Sequence, residues 1–275
     1  MCIQKKESYY REDKLPHIWC PGCAHGIVMN SIVQAIESKG YDKDNVCVVS
    51  GIGCSSRAPG YMDFNTLHTT HGRALAFATG IKMAKPHMKV IVISGDGDAT
   101  AIGGNHLIHS ARRNIDITTI VFNNNIYGMT GGQFSPATPK GDYATTSPYG
   151  NIDTPFDIAK LAEGAGASFV ARSTASHFTQ LTKVIGEALD HEGFSMVEAV
   201  CTCPTSYGRK NKGFKGNPVA MLKYLKENSV PVEAVAKLPK EKVEGKIITG
   251  KFVKEERPEY TKEYQKIIDK FKEEV

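Results

Sequence analysis

Apolar residues fall along this chain in two rhythms. Short runs rich in β-branched residues, at 46–49, 90–93, 118–122, 168–171 and 196–200, are almost continuously apolar, as strands buried on both faces require. Between them lie stretches with helical spacing: 25–38, 74–85, a segment after Asp98, 155–165 and 176–191. The alternation predicts an α/β fold with a doubly wound, mostly parallel sheet. Residues 1–18 are polar and charged, an arm without a core of its own. Beyond Pro204 the pattern loosens into an irregular, partly helical C-terminal extension, with helices expected at 218–227 and 259–273. The expected partition is therefore 1–18, 19–204 and 205–275. The Gly/Pro/Ser/Thr-rich stretch at 131–154 is long for a connection and reads as a lid or a partner contact.

In a parallel sheet every strand ends on the same rim, where ligands of open α/β folds bind. Cys54 follows the first run, Asp96 the second, Asn124 the third and Cys203 the last, so the four are expected around one site. Gly95-Asp96-Gly97-Asp98 and Asn123-Asn124-Asn125 close the two strands of one βαβ unit. A carboxylate and an amide oxygen meeting there, with glycines admitting close backbone approach, suit Mg²⁺ carrying a diphosphate. Three readings compete for this unit. One is a βαβ unit with an ordinary Gly-Asp turn. Another is a nicotinamide-binding glycine loop, but Thr100 stands where its third glycine belongs. The third is the thiamine diphosphate signature, GDG followed after about 25 residues by NN, and its spacing fits.

Length and charge change the picture little. The 275 residues can bury one large core or one domain with an extension. No run is long enough to cross a membrane and no secretory signal opens the chain, so a cytoplasmic protein without a membrane role is expected. Residues 205–275 carry 17 of the 34 Lys+Arg and 11 of the 29 Asp+Glu, which makes the tail +6 and the body −1 of the net +5. Its charges are mixed in sign, which argues against a nucleic-acid arm and for a solvated or partner-covering surface.

Seven cysteines in a chain without an export signal point to metal or cluster ligation rather than disulfides. In Cys20-Pro21-Gly22-Cys23 a tight turn can aim both sulfurs at one metal. Zinc ribbons add a second CxxC nearby, which is absent here, and a thioredoxin-like dithiol would need a preceding strand. Cys54 and Cys203 could complete a four-thiolate [4Fe–4S] site, with Cys201 competing for the fourth place. Cys47, inside an apolar strand, is expected in the core, and Cys2 is a terminal bystander.

Five motifs in order, WCPGC, GIGCSSR, HTTHGRALAFATGIK, GDGD with NNNIYGMTGGQ, and CPTSYGR, resemble the β subunit of a 2-oxoacid:ferredoxin oxidoreductase across residues 15–211. The resemblance implies thiamine diphosphate, Mg²⁺ and one [4Fe–4S] cluster held by Cys20, Cys23, Cys54 and Cys203. It implies Asp96, Asn124 and the carbonyl of Ile126 as magnesium ligands. Cofactor contacts then fall on Ile52, Gly53, Cys54, Ser55, Thr69, Thr70, His71, Gly72, Gly95, Asp96, Gly97, Asp98, Gly128 and Met129. The implied reaction is oxidative decarboxylation of a 2-oxoacid, with electrons leaving singly through the cluster to ferredoxin and coenzyme A taking the acyl group.

Arg57 suits a bidentate grip on a second carboxylate, as in 2-oxoglutarate; its alternative is a surface or subunit contact. GCSSR likewise resembles the 2-oxoglutarate branch more than the pyruvate or branched-chain enzymes. His71 is either a cofactor or substrate contact relaying a proton, or a helix-start histidine bonded to backbone. His68, His106 and His109 have no motif behind them. No glutamate lies in a motif for activating the aminopyrimidine, so the resemblance implies that a separate α subunit provides one. Competing function classes are a non-redox thiamine diphosphate decarboxylase with structural cysteines and a non-catalytic iron–sulfur electron carrier.

Overall fold

The computed structural model describes residues 9–273; the first eight residues of the expected N-terminal arm, Cys2 among them, lie outside them. An eight-stranded sheet runs in the order β2-β1-β3-β4-β6-β5-β8-β7. Its strands are β1 (Val46–Ser50), β2 (Asn65–His68), β3 (Lys89–Gly95), β4 (Thr118–Asn123), β5 (Phe169–Thr174), β6 (Ser195–Val200), β7 (Ser229–Pro231) and β8 (Ile247–Lys254). Every pairing is parallel except β5 with β8. The α/β, mostly parallel architecture is as expected. The register puts Ser50 beside Ile93, Gly95 beside Phe122 and Asn123 beside Val200, so these strands end on one rim.

Helices cover both faces because successive side chains of a strand point to opposite sides. Val46, Val48, Ile91, Ile93, Ile120 and Phe122 share one core with α1 (His25–Lys39). Cys47, Val49, Val90, Val92 and Val121 share the other with α2 (Ala74–Ala84), α3 (Gly104–Arg113) and α4 (Ile158–Gly164). Cys47 is thus a core residue. Helix α5 (Phe178–Asp190) lies beside α1 on the first face. Each fully buried Val or Ile contributes roughly 1.5–3 kcal/mol.

The extension past Pro204 is more tightly joined to the sheet than its loose pattern suggests. It forms α6 (Pro218–Glu227), two four-residue helices, α7 (Val232–Val235) and α8 (Lys240–Val243), and α9 (Tyr260–Glu273). It also adds β7 and β8 to the sheet edge, strands absent from the sequence reading. Asn114, left-handed at the end of α3, ties this tail down. Its Oδ1 accepts from Ser168 Oγ at 2.6 Å and Phe194 N at 2.9 Å, and its Nδ2 donates to the carbonyls of Arg257 and Pro258. Asn114→Ala removes these bonds and places alanine at positive φ, so a loss of about 2–4 kcal/mol is expected in urea unfolding.

His191 extends that network, with Nε2 2.7 Å from Ser168 Oγ. Burial lowers its pKa, against the opposing pull of Asp116. A depressed histidine binds its proton less readily folded than unfolded. Stability should therefore fall as pH drops below the ordinary histidine range and through the folded value. His191→Gln should flatten that part of a urea-midpoint-versus-pH curve; an unchanged slope would sink the assignment.

The stretch at 131–154 carries no helix or strand, yet it is fastened. Tyr207 donates from its hydroxyl to Asp142, Asn211 brackets the main chain of Tyr143, and Asn151 Nδ2 donates to the Thr138 carbonyl. Its outer side leaves Tyr149 97% and Ile152 84% exposed.

Candidate functional site

A cavity of about 250 Å³ opens on the rim where β1, β3 and β4 end. Of the residues expected there, Ile52 through Ser55, His71, Gly95 through Asp98, Asn124, Ile126, Gly128 and Met129 line it. Thr69, Thr70 and Gly72 do not. Thr69 is turned to β1, where its hydroxyl donates to the Ser50 carbonyl at 2.9 Å. Thr70 is exposed. Gly72, at φ +69°, packs so closely on Ile102 that an added Cβ would lie 2.5 Å from that side chain.

Asp98 is the hub that holds these loops together. Its carboxylate is buried and accepts from the main-chain N–H groups of Gly72 at 2.7 Å and Ile52 at 3.2 Å, and from Ser94 Oγ. His71 Nδ1 stands 2.7 Å from Asp98 Oδ1, off the line of a good hydrogen bond. Gly51 must lack a side chain because a Cβ would come 2.2 Å from Asp98 Oδ2. The turn after β3 continues as a π-helical segment, Asp98–Ile102, an irregularity frequent at functional sites.

Asp96 lies beside the hub and is also buried. Burial pushes its carboxyl up to about 7, opposed by the Ser135 hydroxyl that donates to Oδ2. Among the described residues no Lys or Arg lines the cavity. A buried carboxylate with this environment is suited to a cation. The three asparagines have separate tasks. Asn123 Nδ2 donates to Glu198 Oε1 at 2.8 Å, Asn124 faces the cavity, and Asn125 makes the turn at φ 62°. Asn124 Oδ1 accepts from Ile126 N at 3.2 Å, which leaves the oxygen a second lone pair. Ser55 Oγ is buried on the cavity wall without a hydrogen-bond partner, a donor waiting for an acceptor. These donors and acceptors fit a magnesium diphosphate.

Sequence reasoning missed four cavity residues: His25, Phe122, Tyr127 and Thr130. Tyr127 could have been suspected, because it stands two residues past the asparagine triplet and next to Ile126; its ring fills the space over Gly97, where a Cβ would sit 2.2 Å from it. His25 opens α1 two residues after Cys23, and burial depresses its pKa to about 4.

Cys54, on the cavity wall, and Cys203 meet at Gly128. A Cβ on that glycine would be 3.5 Å from Cys54 Sγ and 3.6 Å from Cys203 Sγ. Burial pushes the Cys23 thiol up to about 12, and the neighbouring Cys203, Cys54 and Cys20 add to it. The Cys54 thiol goes up to about 11, by burial first and then by Cys203 and Cys20. The Cys23 and Cys54 thiols therefore resist becoming thiolates unless a cation compensates them. Cys201 instead packs in the core beneath the sheet. Trp19 clasps the group, donating from Nε1 to the Cys54 carbonyl at 2.7 Å. Among the described residues no three His, Cys, Asp or Glu side chains converge tightly enough to hold a single metal ion, as a zinc site would need. A four-iron cluster spreads its thiolates over four corners, and that wider donor set fits these four sulfurs better.

Arg57 does not join the cavity. It lies on the 3₁₀ segment Ser55–Tyr61 and is exposed. No glutamate lines the cavity either. No helix among the described residues is long and apolar enough to cross a membrane.

Comparison with known proteins agrees with a thiamine diphosphate site. Residues 51–199 match the family model of the thiamine pyrophosphate enzyme C-terminal TPP-binding domain. The 2-oxoglutarate synthase subunit KorB of Methanothermobacter marburgensis is 55% identical over 91% of this chain and 87% of its own length. Its counterpart from Archaeoglobus fulgidus is 58% identical over 80% of this chain and 79% of its own. Among solved structures, 2-oxoglutarate:ferredoxin oxidoreductase from Magnetococcus marinus, with 2-oxoglutarate, coenzyme A and succinyl-CoA bound, superposes with a TM-score of 0.86 at 33% identity. That match covers 97% of this chain and 90% of the other. Sharing more than half its residues with such subunits over nine-tenths of its length, and their fold throughout, this chain belongs to the β subunits of the 2-oxoacid:ferredoxin oxidoreductases.

Proposed function

We propose that this chain is the thiamine diphosphate- and cluster-binding subunit of an enzyme that converts 2-oxoglutarate, coenzyme A and oxidised ferredoxin to succinyl-CoA, CO₂ and reduced ferredoxin. One observation carries the reading: Asp96, Asn124 and Cys54 line a single cavity, and Cys203 stands directly behind its wall at Gly128. When bound, thiamine diphosphate supplies the carbon nucleophile and electron sink for loss of CO₂, and a [4Fe–4S] cluster supplies a one-electron outlet. The chain's residues orient these groups. Asp96, Asn124 and the Ile126 carbonyl would hold Mg²⁺, and Ser55 would donate to the diphosphate. Cys20, Cys23, Cys54 and Cys203 would ligate the iron. His71, set against Asp98, would contact the cofactor or substrate at the cavity wall.

The choice of 2-oxoglutarate rests on the named relatives and on the ligands of the solved structure. Arg57 remains a proposed contact to the distal carboxylate, made from an exposed position. The missing glutamate is assigned to a separate α subunit, with the cofactor enclosed between the chains. The fastened stretch at 131–154 and the basic tail, taken as one extension from 205 to 275, are assigned to partner contact. A cytoplasmic setting suits a partner such as ferredoxin.

The test is an anaerobic substrate panel on the complex reconstituted with its α subunit. CoA-dependent viologen reduction should be fastest with 2-oxoglutarate, and broad absorption near 400 nm should disappear in Cys54→Ser. Faster turnover of pyruvate or 2-oxoisovalerate would overturn the substrate assignment. Turnover without any electron acceptor would overturn the redox reading.

A further inference from the structure

His25 stands in the cavity wall with nothing to bond to. Its side chain is 1% exposed, it lines the cavity, and neither Nδ1 nor Nε2 has a hydrogen-bond partner. Its neighbours are aromatic. Trp19 lies edge-on with ring centroids 5.7 Å apart, and Phe122 lies at 5.3 Å. The one N–H of the Trp19 ring is committed to the Cys54 carbonyl. Of the other polar groups on the cavity wall, Asp96 receives the Ser135 hydroxyl, and Ser55 Oγ, also without a partner, makes no bond to the ring.

A neutral imidazole offers one N–H donor and one bare nitrogen acceptor. Burying both unpaired among aromatic rings costs more than burying a phenyl ring of similar size, so packing alone does not account for a histidine here. The polar species able to meet the ring from the open side is whatever occupies the cavity. Asp96, Asn124 and Ser55 of the same cavity wall would anchor that occupant. Cys54 shares the cavity wall with His25. A bond to His25 would therefore add a second fixed point and set the direction in which the occupant lies.

We propose that His25 is a positioning residue, one of whose ring nitrogens hydrogen-bonds thiamine diphosphate and holds its reactive end toward Cys54. The inference rests on the reading of this cavity as a thiamine diphosphate site. It assigns His25 no part in proton transfer.

The experiment is calorimetric titration of thiamine diphosphate, with Mg²⁺, into the α/β complex freed of cofactor by anaerobic dialysis, with iron measured on the same samples. His25→Phe keeps a ring of similar volume and removes both nitrogens. It should bind thiamine diphosphate about ten- to hundredfold more weakly with its iron content unchanged, the range expected for one buried hydrogen bond. His25→Gln, which retains a donor and an acceptor, should recover most of that loss. Parental affinity in His25→Phe would overturn the inference. Loss of iron in step with cofactor in both variants would also overturn it, because the ring would then serve the cysteine-bearing turn. A parental complex that takes up no thiamine diphosphate would sink the reading of the cavity itself. Tight parental binding with no effect of His25→Phe would sink only the role of His25.

Discussion

Asp98→Ala is expected to release the loops around the diphosphate end of the site and abolish measurable thiamine diphosphate binding. The carboxylate joins the loop after β1, the turn before α2 and the end of β3, through Ile52 N, Gly72 N and Ser94 Oγ. Alanine leaves all three donors without this acceptor in a buried setting. Each unmet group costs about 1–3 kcal/mol, and local relaxation recovers part, so a net destabilisation of roughly 3–5 kcal/mol is expected. Urea unfolding of the chain and calorimetry of the complex provide the two measurements. Asp98→Asn should lie between, because its amide oxygen still accepts while the charge is gone. If Asp98→Ala unfolded at the parental midpoint and bound cofactor normally, the hub would have no energetic content.

Asp96→Asn should have the opposite profile: a folded protein that does not turn over. Asparagine matches aspartate in shape, and Thr100 Oγ1, which donates to the main-chain carbonyl of residue 96 at 2.7 Å, is untouched. What is lost is the negative charge facing the proposed Mg²⁺. Even partners that only support a metal ligand cost 10–100-fold when removed, so loss of a ligand itself should lower turnover by at least about 100-fold. Iron content and absorption near 400 nm should stay at parental levels, since the proposed cluster ligands are the four cysteines and Asp96 is not among them. Parental Mg²⁺-dependent turnover in Asp96→Asn would remove Asp96 from the proposed metal site.

Strands β1, β3, β4, β5 and β6 were legible because both faces are covered, and their residues are buried almost throughout. Strands β2 and β8 carry no such signal. In β2 the residues Asn65-Thr66-Leu67-His68 are mostly exposed, and hydrophobic pattern has nothing to report. In β8 the run is broken by Gly250 at φ 123°, and its pairing with β5 shifts register between Val170 and Ala171. Its place in the sheet depends on long-range pairing that a local window does not see. At the site, Asp96, Asn124 and Cys54 were legible because strand ends of a parallel sheet meet on one rim. Asp98 was legible as a cofactor contact, but its work as a hub depends on Gly72 and Ile52 arriving from elsewhere in the chain. His25 was hidden because a histidine at a helix start shows its worth only when its ring is seen without partners.

The cysteines beside Gly128 come from three separate places: the turn before α1, the loop after β1 and the segment after β6. That arrangement orders events during biosynthesis. Cys20, Cys23 and Cys54 leave the ribosome early, but Cys203 can reach them only once β6 has docked beside β4. Chains made from the N-terminus begin to fold as they emerge. The full thiolate set therefore comes together only when the sheet is nearly complete. Iron uptake would then mark the maturation of the central sheet, and a chain truncated before β6 would keep only three of the four proposed cluster ligands and no finished place to put a cluster.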